Sequence, residues 1–305
     1  QSPRTGRAYT RAGMEDSFRI FVSIATAIFL EAMPFLALGS LLSAVVEVFV
    51  SSERLGRMTP RSLPGRIAVG IGAGVVLPTC ECGVVPVVRR LLVKGVPAPT
   101  ALAYLLAAPI VNPVVLASTF VAFRGDGRMV VARAFVAVLV AACVGFLGRR
   151  LTAAEVLRGE VSKATHEHGG AGGSRWVRVW HHAALDFLEM GKYLVLGACA
   201  AAALKTLVPV SAIGALEGTR VGAVGGMMFF AVVLSVCSEA DAFVAASFVT
   251  LPAAAHLAFI TLGPMVDLKL VGLYAATFRR RVFWILILVP ILLVFVSSMV
   301  LGDLL

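Results

Sequence analysis

The chain has 305 residues, 59% of them hydrophobic and only 14% charged, with a mean hydropathy of +0.93. Such a composition excludes a soluble domain of this size, and five cysteines, an odd number set mostly inside apolar runs, exclude a disulfide framework. The formal charge of +10 does not signal nucleic acid, because the basic residues cluster at the ends of apolar runs, where they anchor membrane segments on the cytoplasmic side.

In chain order, Gln1–Arg11 reads as a polar, basic tail, and residues 1–17 precede the membrane region. No cleavable signal is expected, since the first apolar run is too long and contains Glu31. That run, Phe18–Val50, exceeds what a bilayer core requires and implies tilt or protrusion, with Glu31 and Pro34 in its middle. The basic loop Ser51–Arg66 follows. A second apolar run, Ile67–Val93, is interrupted by Leu77-Pro-Thr-Cys-Glu-Cys-Gly-Val-Val-Pro86. Pro78 and Pro86 remove backbone donors and Gly83 loosens the chain, so a break in the helix is expected here. At bilayer depth, irregular backbone persists only where protein buries it or it lines a watery cavity. In a regular helix residues i and i+2 point apart. Cys80 and Cys82 therefore present two thiols to one soft ion only if the segment is unwound.

Arg89, Arg90 and Lys94 close this run, and Ala98–Phe123 follows with a second break at Pro109-Ile-Val-Asn112-Pro113. Met129–Leu147 reads as a plainer helix whose Arg133 is expected to snorkel to the interface. Residues 149–178 form a basic, glycine-rich linker, placed in the cytoplasm. Its His166-Glu-His168 tract and the His181-His182 pair are metal candidates, but a short tract in such a linker is more often simply solvated.

Beyond the linker the chain repeats itself. Phe29-Leu-Glu31 through Gly39 aligns without gaps with Phe187-Leu-Glu189 through Gly197, 158 positions on. Cys80-Glu-Cys82 matches Cys237-Ser-Glu239 at 157, and Pro109-Ile-Val-Asn112 matches Pro264-Met-Val-Asp267 at 155. Paired interrupted segments are a sequence pointer to a transporter's binding site. The expected fold is an all-α polytopic membrane protein with two repeats, residues 18–148 and 179–305. In the inverted form each repeat has three transmembrane helices plus a broken or re-entrant segment, which puts Ser51–Arg66, Arg89–Lys94 and Arg279–Arg281 all inside. The alternative, eight full spans in parallel repeats, places two basic loops outside, against the positive-inside tendency.

The residues expected to carry chemistry are Cys80, Glu81, Cys82, Asn112, Cys237, Glu239, Asp241 and Asp267, which would form a substrate site at the breaks. Thiolates select zinc, copper(I) and trivalent arsenicals, so Cys80, Cys82 and Cys237 are the metal candidates. Cys143 and Cys199 lie in featureless helices and read as packing residues. Glu31 and Glu189 occupy equivalent positions and should face a cavity or a partner. Carboxylates of this kind carry protons in antiport, neutralise a cationic substrate, or pair with Lys192, Lys205 or Lys269. No nucleotide motif is present, since Gly70-Ile-Gly72-Ala-Gly74 lacks the setting that phosphate binding requires, and no hydrolase arrangement is seen, so no enzyme is expected.

Cys80-Glu-Cys82-Gly83 through Pro86, Arg89-Arg90-Leu-Leu with Lys94-Gly-Val-Pro97, Ala108-Pro109-Ile-Val-Asn112-Pro113, and Cys237-Ser-Glu239-Ala-Asp241 together resemble a bacterial "predicted permease" family, once catalogued only as a domain of unknown function. The resemblance covers nearly the whole chain. It implies a multi-pass permease of the bacterial inner membrane, since the family includes efflux permeases for trivalent organoarsenicals and members associated with zinc or copper. The implied substrate is a thiophilic metal ion or metalloid, moved outward, with no resident cofactor. A carboxylate at Glu81, between the thiols, suits a divalent cation better than a neutral arsenical. Two other readings stand beside the permease: a transmembrane thiol-disulfide electron carrier, and a non-transporting subunit that docks a membrane or metallochaperone partner.

Overall fold

The computed structural model describes residues 4–49, 59–77, 79–158, 174–207 and 219–305, and the side chains of all of these except 4–17, 35 and 204–207. The histidines of the linker, Pro78, Glu217 and most of the loop after the first helix lie outside the described residues.

The described chain is helical, with one isolated bridge between Leu157 and Phe278. The helices are α1 (Arg4–Phe49), α2 (Leu63–Val76), α3 (Glu81–Val93), α4 (Ala98–Val111), α5 (Pro113–Ala122), α6 (Gly127–Leu147) and the short α7 (Ala153–Val156). They continue with α8 (Arg175–Leu207), α9 (Arg220–Leu234), α10 (Asp241–Ala246), α11 (Ala253–Leu262), α12 (Leu268–Thr277) and α13 (Arg280–Leu301). Among the described residues, four stretches are long and apolar enough to cross a membrane: Phe18–Phe49, Ala98–Ala122, Gly127–Arg150 and Arg280–Leu301. This is a membrane protein. The expected tail is already helical from Arg4, continuous with α1.

Contacts fix the direction of each helix. α1 and α8 lie antiparallel, because Ala44 packs with Val179 and Ala183 while Ile28 packs with Ala198 and Ala201. α2 rests on α4 and points the same way, since side chains at Gly70 and Gly74 would meet Thr100 and Ala108 in that order. α3 reaches the start of α4 through Lys94–Pro97 and packs back along it, so α2 and α3 begin and finish at the same end of the molecule. In the second half, Arg220 at the start of α9 and Ala254 at the start of α11 meet around Gly302, and Gly263 after α11 lies near Ala231 late in α9. α9 and α11 are therefore parallel too. α6 and α13 run antiparallel, for the first turns of α6 share a cavity with Leu301, Leu304 and Leu305, while Leu157 beyond α6 bridges to Phe278 ahead of α13.

These directions define two ends. Glu47, Lys94, Arg149, Trp176 and Arg279 mark a basic end; Asp126, Arg220, His256 and Leu305 mark the far end. α2 and α3 start and finish at the basic end, whereas α9 starts at the far end.

Arg133 corrects a sequence expectation. It does not snorkel, being 0% exposed inside the helix packing. Pro86 is also not part of the break but lies inside α3, which begins at Glu81. A proline there forfeits the one intrahelical bond that its own amide would make to the Cys82 carbonyl.

Candidate functional site

Both expected breaks exist, and they meet. α2 ends at Val76, and Cys80, in extended conformation with φ −73° and ψ 169°, caps α3. Cys80 thus lies outside the helix and Cys82 in its first turn, which removes the i, i+2 opposition that a continuous helix would impose. On the other side α9 stops at Ser235, which takes the left-handed conformation with φ 48°. Cys237 then turns the chain, its carbonyl accepting from the amides of Ala240 and Asp241.

Glu81 joins the two breaks. Ser238 Oγ donates to its Oε2 at 3.1 Å, and Lys269 Nζ approaches its Oε1 at 3.5 Å. Lys269 also pairs with Asp267 Oδ2 at 3.4 Å, so one ammonium stands between two carboxylates. Glu81 and Lys269 are each 1% exposed, burial that an unpaired charge would not survive. Cys80, Cys82 and Cys237 are buried beside this trio, Cys82 and Cys237 both within electrostatic reach of Lys269 and Glu81.

The remaining breaks are caps. Asn112 accepts from the amide of Val115 at 2.9 Å and starts α5; Asp267 accepts from the amide of Leu270 at 2.7 Å and starts α12. In each case the side chain satisfies a helix-start amide that no carbonyl reaches. Asn112 shows no bond to the thiol cluster, whereas Asp267 touches it through Lys269. Asp241 points elsewhere, to Arg133, at 2.6 Å. Arg133 donates also to Thr119 Oγ1 at 2.6 Å and to the Ser238 carbonyl at 3.4 Å, bracing the second break from behind. Glu239 is half-buried, accepts from Ser238 Oγ at 3.5 Å and has no ion pair among the described residues.

Two further expectations change. Glu189 pairs not with a lysine but with Arg89, at 2.6 Å, and Glu31, its sequence counterpart, is exposed. Arg90 binds Asp186 through two bonds of 2.9 and 3.2 Å, and Ser43 donates to the same carboxylate. Lys192 is exposed, and the side chain of Lys205 lies outside the described residues. Sequence reasoning missed Arg133, Asp186, Ser43 and Ser238. The available signal was charge at depth: Arg133 interrupts an apolar helix as conspicuously as Glu31 does.

Chemically, the junction brings soft thiols from both breaks beside a buried charge trio able to re-pair when a substrate or proton arrives. Both Glu81 oxygens are taken by Lys269 and Ser238, and among the described residues no three His, Cys, Asp or Glu side chains are grouped to hold a metal. In this arrangement Glu81 is engaged with Lys269 and Ser238.

The model of a family described as "Predicted permease", ArsP_1, matches residues 17–303. The chain belongs to this permease family. A Bacillus subtilis (strain 168) protein named UPF0718 protein YcgR is 37% identical over 287 residues, covering 93% of the permease and 98% of the relative. A Streptococcus mutans (strain UA159) protein, whose name describes a candidate two-component membrane permease complex subunit, is 35% identical over 264 residues, or 85% and 87% of the two chains. No solved structure matches the permease.

Proposed function

We propose that the chain is a multi-pass permease of the bacterial inner membrane that carries a thiophilic metal ion or metalloid outward through the junction of its two broken segments. The observation that carries this reading is the burial of Cys82 and Cys237, one from each half, against a single Glu81–Lys269–Asp267 trio. Thiols brought from both breaks suit a soft species, zinc, copper(I) or a trivalent arsenical. Cys80, Cys82 and Cys237 hold the substrate, Glu81, Asp267 and Glu239 adjust charge around it, and Asn112 and Asp241 keep the breaks in shape. Glu31 and Glu189 stand on either side of the junction as coupling or pairing groups.

The halves are inverted repeats in this reading. Supporting it, α2, α4 and α6 correspond in order to α9, α11 and α13, with like partners and like directions, yet their starts lie at opposite ends. The Cys80 segment then re-enters from the basic side and the Cys237 segment from the far side. The positive-inside tendency makes the basic end cytoplasmic.

Transport into inverted membrane vesicles tests the substrate, with arsenite, methylarsenite, zinc and copper(I) as probes. A cysteine-dependent flux of one of them is expected, lost at least tenfold in Cys80→Ser with Cys82→Ser, in line with removing groups that contact the substrate directly. Equal flux in parent and variant would remove the thiols from the mechanism. The name of the Streptococcus relative favours a second reading, in which the permease works with another membrane subunit. Co-purification of one defined membrane protein with the tagged permease from its own host supports that reading.

A further inference from the structure

The two halves are not closed alike. At the basic end α3 packs on both α1 and α8, and Gly39 of α1 meets the backbone of Gly83 in α3 so closely that there is no room for a side chain at Gly39. The contact is pinned by charge. Arg89, 2% exposed, pairs with Glu189 of α8; Arg90, 4% exposed, pairs with Asp186, which also accepts from Ser43 of α1. Lys94 caps the end of α1 through the Val46 and Glu47 carbonyls at 2.9 and 2.5 Å. At the far end α10, the counterpart of α3, has no comparable interface with α1 or α8 among the described residues, and α8 leans instead on α12, with Gly197 against Lys269. There Glu31, counterpart of Glu189, is exposed and has no ion pair among the described residues. The sequence explains why: at the 157-residue offset Ala246 and Ser247 stand where α3 carries Arg89 and Arg90.

We propose that Arg89 and Arg90 form a one-sided ionic latch that holds the α1–α8 pair against α3, seals the thiol junction from the basic end, and makes access from the far end the resting state. α1 and α8 pack on each other from Ile28 with Ala198 to Ala44 with Val179, and in this proposal they shift together. In the opposite state this body leaves α3 for α10, where no arginine awaits Glu31, so that closure lacks ionic support. A tight latch on one side biases the two-state equilibrium by its differential stability. This inference rests on the two-repeat permease reading above.

The test uses the five native cysteines and needs no knowledge of the substrate. Right-side-out and inverted vesicles containing the full-length permease are treated with a sulfonated, membrane-impermeant maleimide, and labelling rates of Cys80, Cys82 and Cys237 are read separately by mass spectrometry. In the parent, labelling from the far side is expected to be the faster. Arg89→Gln and, as a gentler change on a one-third-exposed partner, Glu189→Gln should each raise labelling from the basic side about tenfold, within the range typical of coupling between sites. The charge exchange Arg89→Glu with Glu189→Arg should bring it back towards the parent rate. Unchanged basic-side labelling in the folded Glu189→Gln variant, or no recovery in the exchange, overturns the latch. Failure of the permease reading is distinct, since it would appear as absent thiol-dependent flux with the labelling pattern intact.

Discussion

A guanidinium with no exposure is the most demanding residue in this chain, and Arg133 meets the demand with Asp241, Thr119 and the Ser238 carbonyl. The pair gains little net free energy over apolar side chains of similar volume, because taking both charges out of solvent costs nearly what their attraction returns. Removing one partner is another matter, since it strands the other. Arg133→Met is therefore expected to destabilise the protein by roughly 3–5 kcal/mol, whereas Arg133→Met combined with Asp241→Leu should recover most of the loss. Unfolding midpoints in one detergent check this, and a double variant no more stable than the single would show that Arg133 acts through Thr119 and Ser238 rather than through Asp241. Arg133 thus belongs to the support of the Cys237 turn, not to its chemistry.

At the scale of helices, close approach decides what the sequence tolerates. A side chain at Gly39 would collide with the Gly83 backbone, while one at Gly72 would meet nothing. Gly39→Ala should therefore cost about 1–3 kcal/mol, typical of overpacking, and Gly72→Ala should be neutral or slightly stabilising. Thermal unfolding of the two variants side by side decides it, and equal behaviour would mean that α1 is free to shift off α3. Both breaks were legible because proline, glycine and ionisable residues have little reason to gather at bilayer depth unless the backbone is interrupted there. Their exact edges were not: Pro86 reads as a breaker in sequence but sits within α3, and Ser235, which stops α9, carries no comparable mark. The ion pairs were invisible for a different reason. Arg89 finds Glu189 and Arg133 finds Asp241 at separations of 100 and 108 residues, and only tertiary packing chooses among the available partners.

Across the whole molecule the competing arrangements differ in where three basic segments lie. With inverted repeats, Arg61, Arg150 and Arg280 are on one side of the membrane; with eight full spans, Arg150 is alone on its side. The packing favours the first, because Arg279 donates its amide to Val156, a few residues beyond α6, while the first turns of α6 adjoin the C-terminus. In the proposed arrangement this joined end keeps the segments at Arg150 and Arg280 on one surface. Single cysteines introduced at Arg61, Arg150 and Arg280, scored against the parent with an impermeant maleimide, should all label in inverted vesicles and stay protected in right-side-out ones. A cysteine at Asp126 should do the reverse. If positions 61 and 280 label with 126 instead, the repeats are parallel, the Cys80 segment spans the membrane, and a one-sided latch at Arg89 loses its geometric basis.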